Sequence, residues 1–103
     1  NQALTYPIGL ITVDELMLGG LADGYLNKSS YTYSSYNCWT MSPGYFNVDH
    51  TAANEFFAAS AGYAYSNWVA YGFGVRAVIN LKSDVQISGG IGTANDPFVV
   101  QTT

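Results

Sequence analysis

Val75-Arg76-Ala77-Val78-Ile79-Asn80-Leu81 is the stretch on which the fold turns. Val75, Ala77, Ile79 and Leu81 alternate with Arg76, Val78 and Asn80, and a period of two puts the first set on one face of an extended strand. The pattern predicts a half-buried strand, central in its sheet, with that first set turned to the core. Two shorter strands follow, Val85-Gln86-Ile87 and Phe98-Val99-Val100. The segment between them, Ser88 to Pro97, is too long for a two-residue hairpin but dense in turn-forming residues.

Upstream, Tyr36-Asn37-Cys38-Trp39-Thr40-Met41 predicts a strand with Cys38 and Thr40 on one face and Trp39 and Met41 on the other. Ser42-Pro43-Gly44 then predicts a type II turn. Tyr45-Phe46-Asn47-Val48 has the make-up of another short strand. Asn54 to Ala61 mixes helix-favouring alanines with a Phe pair and a following Gly62. It is assigned to strand because Tyr63-Ala64-Tyr65-Ser66 resumes the alternation. Asn67-Trp68-Val69-Ala70-Tyr71-Gly72-Phe73-Gly74 is aromatic and glycine-rich, and predicts a loop.

One helix is predicted. In Thr12-Val13-Asp14-Glu15 the Thr12 hydroxyl can accept from the Glu15 N–H while the Glu15 carboxylate reaches back to the Thr12 N–H, a capping box. Ile11 and Leu16 suit a hydrophobic staple across it, and the two carboxylates complement the positive end of the helix dipole. Gly19-Gly20 ends the helix, so it spans Val13 to Leu18 with Leu16 and Met17 inward. Residues 21–35 are Ser- and Tyr-rich and predict a surface loop with room for a short edge strand. Asn27-Lys28-Ser29 matches a glycosylation sequon, a pattern common by chance and without meaning in a bacterial protein.

These elements make an α+β domain: a small, mainly antiparallel twisted sheet with one short N-terminal helix. A length of 103 residues makes it a single domain, residues 1–103. Hydrophobic residues are 49% of the chain, enough for a core, whereas charged residues are 10%, well under the roughly 25% of ordinary domains. Solubility therefore rests on amides and hydroxyls, a balance suited to an extracellular or cell-surface location. Seven carboxylates against Lys28, Arg76 and Lys82 leave a net charge of −4. Three scattered bases cannot neutralise a phosphate backbone, which excludes nucleic acid as a partner. No apolar run approaches the roughly 20 residues of a membrane span, so no direct membrane insertion is expected. The chain opens at Asn1 without a visible signal peptide, and is expected to be a processed product or the C-terminal fragment of a larger surface protein.

Cys38 has no second cysteine to pair with and reads as a small buried hydrophobe. The single His50 and single Cys38 lack carboxylates at ligand spacing, so neither a metal nor another cofactor is expected. Asp14 and Glu15 are accounted for by capping, Asp96-Pro97 by a turn, and Asp49 and His50 face apart on an extended chain. No catalytic residue is assigned, and the protein is not expected to be an enzyme.

Three segments, Ile8-Gly9-Leu10-Ile11-Thr12-Val13-Asp14-Glu15-Leu16, Tyr36 to Phe46 and Gly74 to Val100, together resemble a family of secreted Gram-positive bacterial domains. Its members read Tyr-Trp-Thr-x-Ser-Pro, then Gly-Val-Arg-Pro-Val-Ile-Asn-Leu, and close on Gly-x-Gly-Thr before Asp/Asn-Pro-Tyr. This chain departs at Cys38, Ala77 and Phe98, where Tyr, Pro and Tyr are common. The resemblance implies a distant likeness to C-type-lectin-like and formylglycine-generating-enzyme folds, a place at the C-termini of surface proteins, some beside pilin-like helices, and a structural role for Arg76 bonding loop carbonyls or a carboxylate. It brings no assigned activity. The calcium-binding Glu-Pro-Asn or Gln-Pro-Asp triplets of sugar-binding C-type lectins are missing, as are the paired cysteines of the formylglycine-generating enzymes.

The function expected is therefore ligand binding, to a glycan or a protein, through Tyr/Trp-rich loops. Tyr31, Tyr33, Tyr63, Tyr65, Trp68 and Tyr71 are the candidate residues, since aromatic rings offer large contact area at little entropic cost among adaptable Ser, Asn and Gly. The alternative is a structural or display subunit of a pilus-like or other surface fibre.

Overall fold

The capping box forms as its residue types dictate. In a computed structural model that describes residues 5–93 and 95–101, Thr12 Oγ1 accepts from the Glu15 N–H at 3.2 Å and Glu15 Oε2 accepts from the Thr12 N–H at 2.8 Å. The helix α1 runs Val13–Leu18. It ends in a Schellman motif: the Leu21 N–H donates to the Leu16 carbonyl (2.9 Å) and the Gly20 N–H to the Met17 carbonyl (3.0 Å), with Gly20 at φ +96°. The apolar contact that accompanies this motif joins Leu16 to Leu21, and these two residues with Ala58 and Ala64 form a buried cluster of the core. Met17 is exposed, contrary to expectation, because a six-residue helix resting on one sheet buries one residue fully.

Among the described residues seven short strands, one before α1 and six after it, form three antiparallel sheets rather than the expected single sheet. β1 (Ile8–Leu10) pairs with β5 (Ala77–Ile79). β2 (Cys38–Asn47), β3 (Ala52–Ala58) and β4 (Ala64–Trp68) form the largest sheet, in that order. β6 (Ile87–Gly89) pairs with β7 (Val99–Val100). The mainly antiparallel character and the small helix content agree with the sequence reading.

Ser42-Pro43-Gly44 makes no turn. β2 runs through it on two register shifts, between Trp39 and Pro43 and between Pro43 and Phe46. Pro43 is tolerated because β2 is an edge strand and bulged there. Tertiary bonds hold the bulge: the Met41 N–H donates to the Ile11 carbonyl (3.0 Å), and the Ser42 hydroxyl accepts from the Val13 N–H (2.9 Å), one of the helix's free first-turn donors. Gly44 lies so close to β3 that a Cβ would stand 3.0 Å from the Asn54 carbonyl oxygen.

Residues 21–35 form a loop tied to the helix end by side chains. Asn27 Nδ2 donates to the Gly20 carbonyl at 3.1 Å, and the hydroxyl of buried Ser30 donates to the Gly19 carbonyl. Arg76 Nη1 donates to the Thr32 carbonyl at 2.7 Å, the loop contact the resemblance implied.

The expected central strand is corrected. Only Ala77–Ile79 is extended in a ladder, its single partner is β1, and Val75, Ile79 and Leu81 are exposed. Val78, from the set expected to face solvent, is the residue of the segment that is partly covered. Alternation fixes which side chains share a face, not which face meets a partner.

Candidate functional site

The three-stranded sheet has two covered faces. On one, Ala58 and Ala64 meet α1 through Leu16. On the other, the register Trp39↔Phe57↔Tyr65 lines up three rings across β2, β3 and β4. Phe57 is the buried centre of this row, only 5% exposed. Trp39 lies 6.1 Å from it and Tyr65 6.4 Å, both edge to face.

A fourth ring completes the cover. Phe73 comes from the loop after β4 and lies 4.6 Å from Phe57 and 4.5 Å from Trp39, centroid to centroid. Its position is fixed by the next residue. The Gly74 N–H donates to the Asn37 carbonyl (2.8 Å), and the Gly74 carbonyl accepts from the Trp39 N–H (3.0 Å). A Cβ at Gly74 would sit 3.3 Å from the Asn37 carbonyl oxygen, a tight contact that glycine avoids.

From Phe73 the rings continue outward. Tyr71 lies 6.1 Å away with its plane tilted by 13°, and Trp68 lies 6.2 Å beyond at 22°. Trp68 is the last residue of β4, and the Tyr71 N–H donates back to its carbonyl at 3.0 Å, closing the turn that brings the two rings together. His50 lies 5.5 Å from Trp68, on a turn where Asn47 Oδ1 accepts from the N–H groups of Asp49 and His50. At the other end Tyr63 lies 6.2 Å from Tyr65. Eight rings thus run without a break from His50 to Tyr63, with Tyr65, Trp68 and Tyr71 exposed along it.

Polar groups stand beside the rings. Glu55 and Asn67 are register partners two residues along from Phe57 and Tyr65, and so share their face. Both are half-buried. Asn67 Oδ1 accepts from the Trp68 N–H (2.8 Å), while the Asn67 amide nitrogen and the Glu55 carboxylate have no hydrogen-bond partner among the described residues. A carboxylate and an amide next to exposed ring faces can take hydroxyls and an apolar ring face at once.

Four of the six expected residues, Tyr63, Tyr65, Trp68 and Tyr71, belong to this run. Tyr33 does not: its ring packs on the Leu16 core and its hydroxyl donates to the Ser60 carbonyl at 3.2 Å, a structural role. Tyr31 is exposed elsewhere, beside Arg76 and Phe98. His50, Trp39, Phe57 and Phe73 were missed by loop-based reasoning. The signal available was alternation, which sets Trp39 opposite the buried Cys38 and Phe57 opposite Ala58.

Cys38 is buried and unpaired, its Sγ 3.6 Å from the Tyr36 carbonyl oxygen. No group of three or more metal-ligating side chains occurs among the described residues. No helix among them is long and apolar enough to cross a membrane. Scans of the chain against protein-family models, characterised proteins and solved structures return no match.

Proposed function

We propose that this chain is a non-enzymatic, extracellular surface domain that binds a glycan on the aromatic run. The observation that carries the reading is the juxtaposition of the exposed Tyr65 ring with Glu55 and Asn67 on one face of the β2-β3-β4 sheet, with the exposed Trp68 and Tyr71 rings continuing the run at and beyond the end of β4. A sugar presents an apolar C–H face and a rim of hydroxyls. The first packs on aromatic faces, and the second bonds to a carboxylate and an amide. Phe57, Trp39 and Phe73 hold the exposed rings from behind, which lowers the entropy lost on binding. The C-type-lectin-like fold and the bacterial, pilin-associated setting belong to this reading, supported by the resemblance of the Tyr36–Phe46 and Gly74–Val100 segments.

The test is a glycan array probed with the wild-type chain and with Trp68→Ala, Tyr71→Ala and Glu55→Gln. Binding is expected in the wild type and at least tenfold weaker in each aromatic variant. Binding that survives both aromatic changes, or that disappears with a chelator, overturns the assignment. The second reading, a structural or display subunit of a surface fibre, is favoured by a different observation: the apolar residues left exposed on β1 and β5.

A further inference from the structure

β5 is paired on one side only. β1 takes one edge of Ala77–Ile79, and among the described residues no hydrogen bond reaches the other. Val75, Ile79 and Leu81 are 71%, 60% and 55% exposed, and Ile8, the register partner of Ile79, is exposed on the same face. An open edge of β-branched residues is a template for another strand. Natural edges are commonly blunted by inward charges or proline, and the only charges at this one are Arg76 and Lys82. Arg76 is turned to the Thr32 carbonyl.

The segment also has a symmetry that an unpaired edge does not need. Val75-Arg76-Ala77-Val78-Ile79-Asn80-Leu81 reads apolar, polar, three apolar, polar, apolar from either end. Two copies laid antiparallel about Val78 place Val75 opposite Leu81, Arg76 opposite Asn80, Ala77 opposite Ile79 and Val78 opposite itself. Apolar side chains meet apolar ones, Asn80 lies opposite an Arg76 whose guanidinium is held at Thr32, and no like charges oppose. A twofold axis makes such a surface self-complementary.

The chain is less compact than a monomer of its size. The chain exposes 7625 Å², whereas a monomer of its 11.1 kDa is expected to expose roughly 5,700 Å². The surplus of about 1,900 Å² is spread over the whole chain, and Val75, Ile79 and Leu81 are among the residues that carry it. The radius of gyration, 15.4 Å, is likewise above the roughly 13 Å of a compact chain of this length.

We infer that two copies of this chain associate through their β5 edges, forming a four-stranded β1-β5-β5-β1 sheet centred on Val78. This assembly surface is separate from the aromatic run. The test uses the 103-residue chain in a Cys38→Ser background. Sedimentation velocity over a range of concentrations is expected to show a monomer–dimer equilibrium, displaced to monomer by Ile79→Lys. Val78→Cys is expected to form a disulfide with its own copy under mild oxidation, because opposed residues lie within the roughly 4.4–6.8 Å Cα separation that a disulfide needs. Val75→Cys alone is expected not to, since two copies of that residue are offset by about 20 Å along the strands. Mixed with Leu81→Cys it should cross-link, as should Ala77→Cys mixed with Ile79→Cys. The last pair keeps the register testable if Val78→Cys fails to fold. A monomer at every concentration overturns the inference. So does a dimer in which Val75→Cys links to itself, or in which neither Val78→Cys nor the mixed pairs cross-link.

Discussion

Phe57→Ala tests whether the aromatic layer is a second core or a decoration. Phe57 is nearly fully buried, yet its cover is other side chains rather than a second layer of secondary structure: Trp39, Tyr65 and Phe73 within 6.4 Å, centroid to centroid. Burying a Phe side chain is worth roughly 1.5–3 kcal/mol. Each aromatic contact adds about 0.5–1.5 kcal/mol, so truncation with three such neighbours should fall in the 3–5 kcal/mol range of core Phe changes. The lower end applies here, about 3 kcal/mol, because Tyr65 and the 69–74 loop can settle into the gap. That is a large share of the roughly 5–15 kcal/mol a domain has, and corresponds to a fall in Tm of about 12–24 °C. Urea melts followed by far-ultraviolet circular dichroism would measure it, with Phe57→Leu, which keeps most of the apolar bulk but none of the ring contacts, expected to lose less than Phe57→Ala. Near-ultraviolet circular dichroism of the folded variant should also lose intensity as Trp39 loosens. A loss under 1 kcal/mol for Phe57→Ala would refute the reasoning, since it would mean that the ring contributes no more than a surface residue.

Three further outcomes follow from single contacts. Thr12→Ala removes the acceptor for the Glu15 N–H and the hydroxyl bond to Glu15 Oε2, and should cost about 1 kcal/mol in denaturant melts, while Thr12→Ser should cost little. The Thr12 backbone N–H, and secondarily its hydroxyl, hold the Glu15 carboxyl below its ordinary pKa. The Glu15 contribution is therefore complete above the usual carboxylate range and lost as pH falls through the depressed folded value, so the stability gap between wild type and Glu15→Ala should narrow in acid; a gap that widens there would contradict the capping role. Cys38, buried with its Sγ near the Tyr36 carbonyl, should react with a thiol reagent far more slowly in the native chain than in denaturant, and equal rates would disprove its burial.

The parts of this fold legible in the sequence are those made by neighbours along the chain. Thr12 and Glu15 are three residues apart, and Gly19-Gly20 lies directly after Leu18. The bonds that start and stop α1 are therefore written locally, and both form as read. Strand character at Cys38, Ala58, Ala64 and Ala77–Ile79 follows from alternation in the same way. What alternation could not say is which strand meets which. Pro43-Gly44 has the local chemistry of a turn, but bonds from Met41 to Ile11 and from Val13 to Ser42, about 30 residues apart, hold it extended. Val75–Leu81 has the pattern of a central strand, yet its one partner is an N-terminal segment some 70 residues away, which leaves its other edge open. The Tyr and Trp residues were visible as a class. That Trp39, Phe57, Tyr65 and Phe73 share one face while Tyr33 belongs to the helix core depended on register and on Gly74 docking at Asn37. Local bonds need few residues to be ordered, so residue type and spacing nearly suffice for them. Contacts across tens of residues are paid for in chain entropy and form only where whole surfaces fit, and that fit exists only in the folded chain.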